Sequence, residues 1–433
     1  MFAELEVCQY QNLLRLKIDM DNSLAPSNPV SMDPVTMAPS LIKLELCNVD
    51  LPPSFWETLS THPHIRNLGL SDMCLKKDDT SGFWKTCMKL ESLEIGGVYF
   101  KDGDGFPRNA VFDQMRSLNM RGTALYHLPY QLHLIHQSPM LESLDWEIDT
   151  LREIEERIID SCWPQLKKLR IRGPFITDDE LAFILNAVGK GHGGVEDLVL
   201  HDCDLETRVF GALGVHFSTL VKVDITCANL SERSTPSDFL CFCPRLEILR
   251  PLNVFAKEIA ERGPWVCQRL RELEIKLCFQ ESEQDLHQLV YERLSTLIQL
   301  ERLTISHFSA HRGGSSEGLR FRIDCGLGRL ASLQQLTYIC IYTTQKCWPG
   351  MEEAVWMVEN LKKLGMIAGF FNSDQEVKAQ LVPGTGASGM PIVAAYFYRD
   401  AGGSAVGTEG FEWMVDNWKK LKRIKGCLNS DKE

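Results

Sequence analysis

The sequence predicts an α/β fold built by repeating one strand–turn–helix unit along the chain. The first observation is a recurring apolar pattern, L-x-x-L-x-L, which begins fourteen times between Leu13 and Leu361. These 348 residues contain 13 intervals, so the mean spacing is near 27 residues. The second observation is a further apolar residue ten positions after the start of eight consecutive units. An ordinary globular protein would not hold this phase, whereas stacked repeats require it.

A period of about 20–29 residues is typical of leucine-rich repeats. We therefore expect a leucine-rich-repeat solenoid, a right-handed horseshoe with a parallel sheet on its concave face and helices on its convex face. Each unit is numbered from the first apolar residue of its pattern. These first residues are Leu13, Leu41, Ile65, Leu90, Met115, Leu141, Leu166, Val195, Leu220, Leu246, Leu270, Leu300, Leu333 and Leu361.

The unit at residues 166–188 shows each predicted element most clearly. Leu169 and Ile171 alternate as they would in a short strand with one apolar side. Thr177 and Glu180, three residues apart, predict a capping box at the start of a helix, in which each side chain binds a backbone N–H. The apolar residues expected to be buried are Leu166, Leu169, Ile171, Ile176, Leu181, Ile184, Leu185 and Val188.

Composition excludes several classes of protein. The chain has 433 residues, 44% of them hydrophobic, which is longer than one compact core usually accommodates. The net charge of −12 argues against nucleic acid or an anionic membrane as a partner. Apolar runs are much shorter than the ~20 residues of a bilayer span, and no secretory signal opens the sequence. With fifteen scattered cysteines typical of a reducing compartment, we expect a cytoplasmic or nuclear monomer.

The repeats are expected to fill residues 1–374 in about fourteen units. A proline- and serine-rich stretch at residues 21–40 predicts a mobile loop in place of the first unit's helix. Residues 375–412, rich in glycine and alanine, are interpreted as a degenerate segment. Residues 413–433 are interpreted as a terminal capping repeat, and most of this stretch copies residues 356–374 at a shift of 57.

Motifs that could carry chemistry are weak. Residues 384–389 spell G-x-G-x-x-G, but the helix that a phosphate site needs is contradicted by a proline just after the motif. Residues 189–194 resemble a phosphate loop in composition only, because no G-K-[ST] follows. His133 and His136 have no third ligand at a fixed spacing. We therefore predict no catalytic residue, cofactor or metal, and expect that the protein is not an enzyme.

The repeat phase indicates which residues are available for binding. Side chains alternate along a strand, so if positions four and six of a unit face the core, positions three, five and seven face the concave side. A protein partner on this side is the expected ligand. The candidate binding residues are Glu94, Asn119, Arg121, Asp145, Glu147, Lys168, Arg170, Arg172, His201 and Asp224.

Two charged stripes are expected side by side on this face. Lys168, Arg170 and Arg172 occupy one strand, and Asp145 and Glu147 occupy the strand before it. One interpretation is that the stripes pair with each other, each pair contributing about 0.2–1 kcal/mol. The other is that the basic stripe contacts an acidic segment of a partner, since charge complementarity governs association rate and partner choice.

Details of the repeats carry a family resemblance. Cysteine occupies the ninth position at Cys203 and Cys278, an Ile-Thr-Asp turn stands at residues 176–178, and a C-P-x-L stop begins at Cys243. These features resemble the cysteine-containing leucine-rich repeats of F-box proteins. Nearly the whole chain looks like the fungal families of F-box and leucine-rich-repeat proteins, and the W-M-x-x-x-W-x-x-L that begins at Trp413 is similar to their closing unit.

The resemblance implies target recognition in ubiquitin-dependent turnover, with the repeats binding the protein to be ubiquitinated. In that family an F-box grips the ubiquitin-ligase adaptor. No L-P-x-E-I-like segment precedes Leu13, so an adaptor is expected as a partner only if an F-box lies upstream. The alternative is a scaffold or intracellular sensor unrelated to ubiquitin. A Ran-type GTPase-activating protein fits less well, because its repeats carry asparagine at position nine, where this chain has Val49, Met73, Val98, Thr123 and Cys203.

Overall fold

The computed structural model describes residues 13–19, 38–52, 54–100, 106–107, 109–122, 128–148, 163–173, 176–189, 193–226, 229–230, 236–280, 283, 285–308, 316–343, 347, 349–369, 394–397 and 425–426. The chain divides into two compact units, each of which contains several repeats. From here on, "unit" means one of these two parts, and a single strand–turn–helix element is called a repeat. The first unit contains Met1–His216 and Cys227–Ser231, and the second contains Phe217–Thr226 and Glu232–Glu433.

Short strands recur through both units. In chain order they are β1 (Arg15–Asp19), β2 (Lys43–Cys47), β3 (Asn67–Ser71), β4 (Cys74–Leu75), β5 (Ser92–Gly96), β6 (Tyr99–Phe100), β7 (Ser117–Arg121), β8 (Ser143–Glu147), β9 (Lys168–Arg172), β10 (Asp197–His201), β11 (Asp204–Leu205), β12 (Lys222–Asp224), β13 (Asn229–Leu230), β14 (Ile248–Phe255), β15 (Glu272–Gln280), β16 (Arg302–His307), β17 (Ser316–Glu317), β18 (Tyr338–Tyr342), β19 (Met366–Gly369), β20 (Ala394–Phe397) and β21 (Lys425–Gly426).

Helices alternate with these strands. They are α1 (Phe55–Thr61), α2 (Lys77–Cys87), α3 (Leu128–His136), α4 (Asp178–Gly189), α5 (Thr207–Leu213), α6 (Asp238–Phe242), α7 (Ala256–Glu261), α8 (Leu286–Ser295) and α9 (Met351–Asn360), with 3-10 turns at Gly214–His216 and Leu327–Ser332. No helix in the described ranges has the length and apolar character that crossing a membrane requires.

The first unit is built on a parallel ladder in which strands pair in the order β1, β2, β3, β5, β7, β8, β9 and β10. Leu118 lies opposite Leu144, Leu144 opposite Leu169, and Leu169 opposite Leu198. Each of these leucines is 0–1% exposed. The apolar residues thus form one buried column along the sheet, which confirms the repeat phase predicted from the sequence.

The ladder continues for one residue beyond several strands. Asn48, Asp72 and Gly97 have φ values of 52°, 52° and 60°, in the left-handed region. Their backbone N–H groups donate to the last residue of the next strand, as in the 2.8 Å bond from Asp72 to the carbonyl oxygen of Gly96. Asn, Asp and Gly are the residue types that adopt this conformation most readily. Their recurrence after the strands therefore has a backbone cause.

The capping box predicted for helix α4 is confirmed. The N–H of Thr177 donates to Oε2 of Glu180 at 2.9 Å, and the N–H of Glu180 donates back to Oγ1 of Thr177 at 3.3 Å. The neighbouring Asp178 carboxylate accepts backbone N–H groups at the start of the next helix, from Glu206 at 2.8 Å and Arg208 at 3.0 Å. One carboxylate thereby satisfies helix-end donors that would otherwise lack partners.

Aromatic side chains fill the space between helices α1 and α2. The rings of Trp56 and Phe83 meet edge to face with centroids 5.0 Å apart, and both side chains are buried. A Cβ atom on Gly82 would lie 2.8 Å from Cβ of Trp56 and 3.0 Å from its carbonyl carbon. The glycine therefore lets the two helices approach closely. Phe55–Trp56 and Phe83–Trp84 thus contribute to packing between the two helices.

The strands of the second unit pair in parallel in the order β12, β14, β15, β16, β18, β19, β20 and β21. In this unit one of the predicted first residues of a repeat is wrong. Ile339 lies opposite Leu303. Leu336, and not Leu333, is therefore the first residue of its repeat, as Leu300 is of the preceding repeat. The actual frame buries Ile339 completely.

The same three-residue shift occurs in the following repeat. Ile367 lies opposite Ile339, so Leu364 replaces Leu361 as the first residue of that repeat. Both errors have one physical cause. Leucines three residues apart fit the first and fourth positions of the pattern in two frames, and the structure adopts the frame that buries the isoleucines.

Several sequence predictions fall mainly outside the described residues. The proposed mobile loop at 21–40 is described only from Ala38 onward, and the glycine motif at 384–389 not at all. In the segment 375–412 the structure describes β20, and in the segment 413–433 it describes β21. The assignment of these segments as a degenerate stretch and a capping repeat stays a prediction.

Replacing each of two helix glycines with alanine should change the free energy of unfolding in opposite directions. Gly82→Ala forces a methyl group against the backbone of α1, so we expect a loss of about 1–3 kcal/mol in the free energy of unfolding. A Cβ atom on Gly211 in α5 would meet nothing within 4 Å. Gly211→Ala should therefore stabilise by up to about 1 kcal/mol through helix propensity. Urea unfolding measures both; equal effects would contradict the packing described.

Stability should fall in acid because of His287. This side chain is 2% exposed, stacks on Phe279 at 4.1 Å, and its Nδ1 accepts the N–H of Arg320 at 3.4 Å. Burial, and secondarily Arg320, lowers the pKa of His287 from 6.5 to about 4. Between these values the unfolded chain binds the extra proton, so the folded state loses up to about 3 kcal/mol as pH falls.

The test compares the pH dependence of unfolding in two variants. His287→Gln should flatten the loss of stability between pH 6.5 and about 4. His64→Gln, at an exposed position, is the control and should leave the slope unchanged. An unaltered slope in His287→Gln would show that this imidazole does not stay neutral in the folded protein.

Candidate functional site

The candidate site is the polar face of the first compact unit. We define this face as the side of the ladder that carries positions three, five and seven of each repeat. The two predicted charged stripes lie side by side on it. Asp145 of β8 is opposite Arg170 of β9, and Glu147 is opposite Arg172. The register therefore confirms that these acidic and basic stripes are neighbours.

The centre of this face is an arginine cluster, which we define as Arg121, Arg170 and Arg172 around Asp145. Arg121 donates from Nη2 at 2.5 Å and from Nε at 3.2 Å to Oδ2 of Asp145. Nη1 of Arg170 donates to the same oxygen at 3.1 Å, and Nη2 of Arg172 stands 3.9 Å away. Three guanidinium groups from strands on both sides thus converge on one carboxylate oxygen.

Burial differs sharply within the cluster. The repeat phase predicts that Asp145 faces solvent, but it is only 9% exposed because the arginines cover it. The side chains of Arg121, Arg170 and Arg172 are 39%, 35% and 29% exposed. Oδ1 of Asp145 and the Nε atoms of Arg170 and Arg172 are buried without a hydrogen-bond partner in the described part of the chain. The carboxylate is therefore enclosed, while the guanidinium groups remain accessible.

Acidic and amide residues border the cluster. Nδ2 of Asn119 donates to Oε1 of Glu94 at 3.0 Å, and Oε2 of Glu147 accepts the N–H of Gly122 at 3.0 Å. Lys168 is exposed and forms no ion pair with Asp145. The structure thus brings Glu94, Asn119 and Glu147 to the margin of the cluster and keeps Lys168 outside its ion pairs.

The remaining two candidates form no described ion pair with Asp145. His201 is half-buried on β10, with its strand position opposite Arg172. Asp224 belongs to the second unit, where it accepts a hydrogen bond from the hydroxyl of Thr226. Asp224 therefore forms a separate local arrangement.

Sequence reasoning missed two features of the polar face. It grouped Arg170 with Lys168, whereas Arg121 is the third cationic partner of Asp145. Adding strand register to the repeat phase would have placed Arg121 diagonally opposite Asp145. It also omitted the first strands, where a cavity of about 350 Å³ is lined by Leu14, Ile42, Lys43, Gly69, Glu94 and their neighbours. The same phase, counted from Leu13, Leu41 and Ile65, locates these residues.

The second unit carries a smaller charged arrangement. Glu272 forms ion pairs with Arg250 and with Nε of Arg302, the latter at 3.3 Å. The guanidinium of Arg302 also lies 4.7 Å from the ring centre of Tyr338, a cation–π contact. Here two arginines share one carboxylate, and the guanidinium of Arg302 also contacts the aromatic ring of Tyr338.

The described residues of the polar face supply charged groups and hydrogen-bond donors and acceptors. Burial, with help from Asp19, raises the pKa of Cys47, so this thiol is protonated at neutral pH. In the second unit, burial likewise raises the pKa of Cys267 to about 12. Within the described ranges no three His, Cys, Asp or Glu side chains stand close enough to share a metal ion. What this surface can do chemically is to bind a polar or charged partner.

The chain is similar to several solved structures at low sequence identity. No protein-family model matches the chain, and no curated protein matches it. Solved structures with similar architecture include the TLR13–ssRNA13 complex (13% identity, TM-score 0.46) and the plant peptide hormone receptor RGFR1 with RGF2 (12%, 0.40). The matches cover 84% and 91% of this chain but only 55% and 61% of those chains.

A third similar structure is the mouse RP105/MD-1 complex, with 13% identity, a TM-score of 0.32 and coverage of 90% of this chain and 77% of that one. All three are leucine-rich-repeat proteins. At this identity the likeness concerns the fold alone. The in-register leucine column of the first unit identifies the fold as an α/β leucine-rich-repeat solenoid.

The ion pairs of Asp145 should be measurable as coupling energies. In a double-mutant cycle on the free energy of unfolding, Asp145→Asn and Arg121→Gln should couple by about 1 kcal/mol, because the pair is half-buried and joined by two hydrogen bonds. Asp145→Asn and Lys168→Gln form the matched cycle and should couple by close to zero. Equal coupling in both cycles would contradict the described cluster.

Proposed function

We propose that the chain binds a partner protein through the polar face of the first unit and selects that partner for ubiquitin-dependent turnover. The observation that carries the binding role is the in-register display of polar side chains on neighbouring parallel strands. Glu94, Asn119 and Asp145 occupy consecutive places across β5, β7 and β8. A surface made from many strands can contact a partner at several points at once.

The chemistry of this surface supports binding of a protein. Arginine offers planar donors that match carboxylates, and it is enriched at the residues that dominate interface energy. The cavity beside Gly69 adds apolar surface from Leu14 and Ile42, which are 51% and 39% exposed. Charged and apolar patches on one face are suited to a protein segment that has both characters.

The link to ubiquitin rests on the resemblance of the repeats to those of F-box proteins. Under this proposal the chain works in the cytoplasm or nucleus, and an F-box encoded upstream would hold the ligase adaptor. Without such a segment the same surface would serve a scaffold or sensor.

Co-purification with the ligase adaptor tests the turnover role. The full chain and a version extended by its upstream coding sequence are each used to capture the adaptor. We expect capture by the extended version. Capture by neither version would remove the ubiquitin role and leave a scaffold or sensor.

A photo-crosslinking amino acid tests use of the polar face. Placed at Ser117 on this face, it should trap a partner protein. The abundance of that partner should rise when the gene that encodes the chain is deleted. Placed at the exposed Gln165, outside the strands, the crosslinker should not trap this partner. Equal trapping from both positions would contradict binding through the polar face.

A further inference from the structure

The arginine cluster has an excess of positive charge at its centre. Three guanidinium groups face Asp145, and with Glu147 opposite Arg172 the three positive charges meet two carboxylates, which leaves one positive charge in excess. Guanidinium groups stay charged at every physiological pH. The molecule as a whole carries a formal charge of −12, so this excess is a local exception on an acidic protein.

The geometry leaves donors available for a ligand. Arg121 uses two nitrogens on Asp145, but Arg170 uses only Nη1, and Arg172 stands 3.9 Å from the carboxylate. The side chains of Arg170 and Arg172 are 35% and 29% exposed, although their Nε atoms are buried. A carboxylate accepts two parallel N–H groups from one guanidinium, and the two terminal nitrogens of Arg172 can supply this pattern.

We propose that the arginine cluster binds a short acidic segment of a partner protein, with Asp145 as the positioning residue that holds the three guanidinium groups together. The proposal rests on the polar face being a protein-binding surface. It replaces the single-strand stripe of Lys168, Arg170 and Arg172 with a site spread over β7, β8 and β9. The carboxylate of Asp145 stays beneath the arginines and does not touch the ligand.

The surroundings limit the length of the acidic segment. The cluster spans three strands, or two interstrand spacings of about 4.8 Å, a distance that about three residues of extended chain cover. Glu94 lies two strands from Asp145 on the same face, and Glu147 lies on the strand of Asp145 itself. These carboxylates repel a longer polyanion. A few Asp or Glu residues in a peptide therefore fit better than a nucleic acid, whose phosphates continue past the cluster.

The positioning role of Asp145 gives a prediction with a distinctive sign. If Asp145 contributed charge alone, Asp145→Asn would strengthen binding of an acidic ligand by removing a repulsive carboxylate. If it positions the arginines, the same change weakens binding, because the guanidinium groups lose their common anchor. Glu94→Gln is the matched control, since it removes an equal charge from the same face without contacting the cluster.

The experiment measures fluorescence anisotropy of a labelled oligoglutamate peptide, with oligoserine and single-stranded oligouridylate as comparison probes. We expect the full chain to bind oligoglutamate and neither comparison probe. Asp145→Asn should weaken binding at least about threefold, whereas Glu94→Gln should strengthen it. Arg172→Gln, which spares the two shortest ion pairs of Asp145, should also weaken binding at least about threefold, so the site is tested even if Asp145→Asn lowers stability.

Two exposed arginines elsewhere provide the control for overall charge. Arg245→Gln with Arg269→Gln should leave the affinity nearly unchanged. Failure to bind oligoglutamate, tighter binding of oligouridylate, or stronger binding by Asp145→Asn would each overturn the proposal. If oligoglutamate fails while the crosslinker at Ser117 still traps its partner, the acidic-segment proposal falls and the protein-binding function stands. Failure of both removes the function as well.

Discussion

The parallel hydrogen-bond ladder is the constraint on which the rest of each unit depends. A single strand–turn–helix repeat leaves one side of its strand and one face of its helix uncovered. Stacking covers them, because Leu144 then lies between Leu118 and Leu169 in the same buried column. Register is fixed by this column, since a slip of one residue would turn every leucine toward the opposite face. The polar side chains between the leucines inherit the same order.

The arginine cluster is a consequence of that order. The phase of Asp145 places it on the solvent side of its strand, yet it is buried because arginines from both neighbouring strands lie over it. Burial of a carboxylate is costly unless charged donors surround it. Here three guanidinium groups serve one oxygen, while the second oxygen has no partner in the described residues. An enclosed acid beneath accessible cations is an arrangement suited to binding an anionic group.

Much of the fold could be predicted from the sequence because the signal is periodic. The positions of Leu144 and Leu169, the helix after Thr177, and the adjacency of Asp145 to Arg170 all follow from a repeat of constant phase. The errors arise where periodicity is ambiguous or where contacts cross strands. The sequence pattern predicts repeat starts at Leu333 and Leu361 because leucines three residues apart fit two frames. The contact between Arg121 and Asp145 is diagonal, so a strand-by-strand analysis could not show it.

A distance across the first unit tests the central claim that the repeats form one ladder in register. Lys43 and Lys168 occupy the same place on strands five ladder steps apart, through Asn67, Ser92, Ser117 and Ser143. At about 4.8 Å per step the backbones should be about 24 Å apart. Because the chain has fifteen cysteines, spin labels are attached through unnatural ketone residues at these two lysines. Pulsed dipolar spectroscopy should then give one narrow distribution near that distance, and a broad or much longer distribution would contradict the ladder.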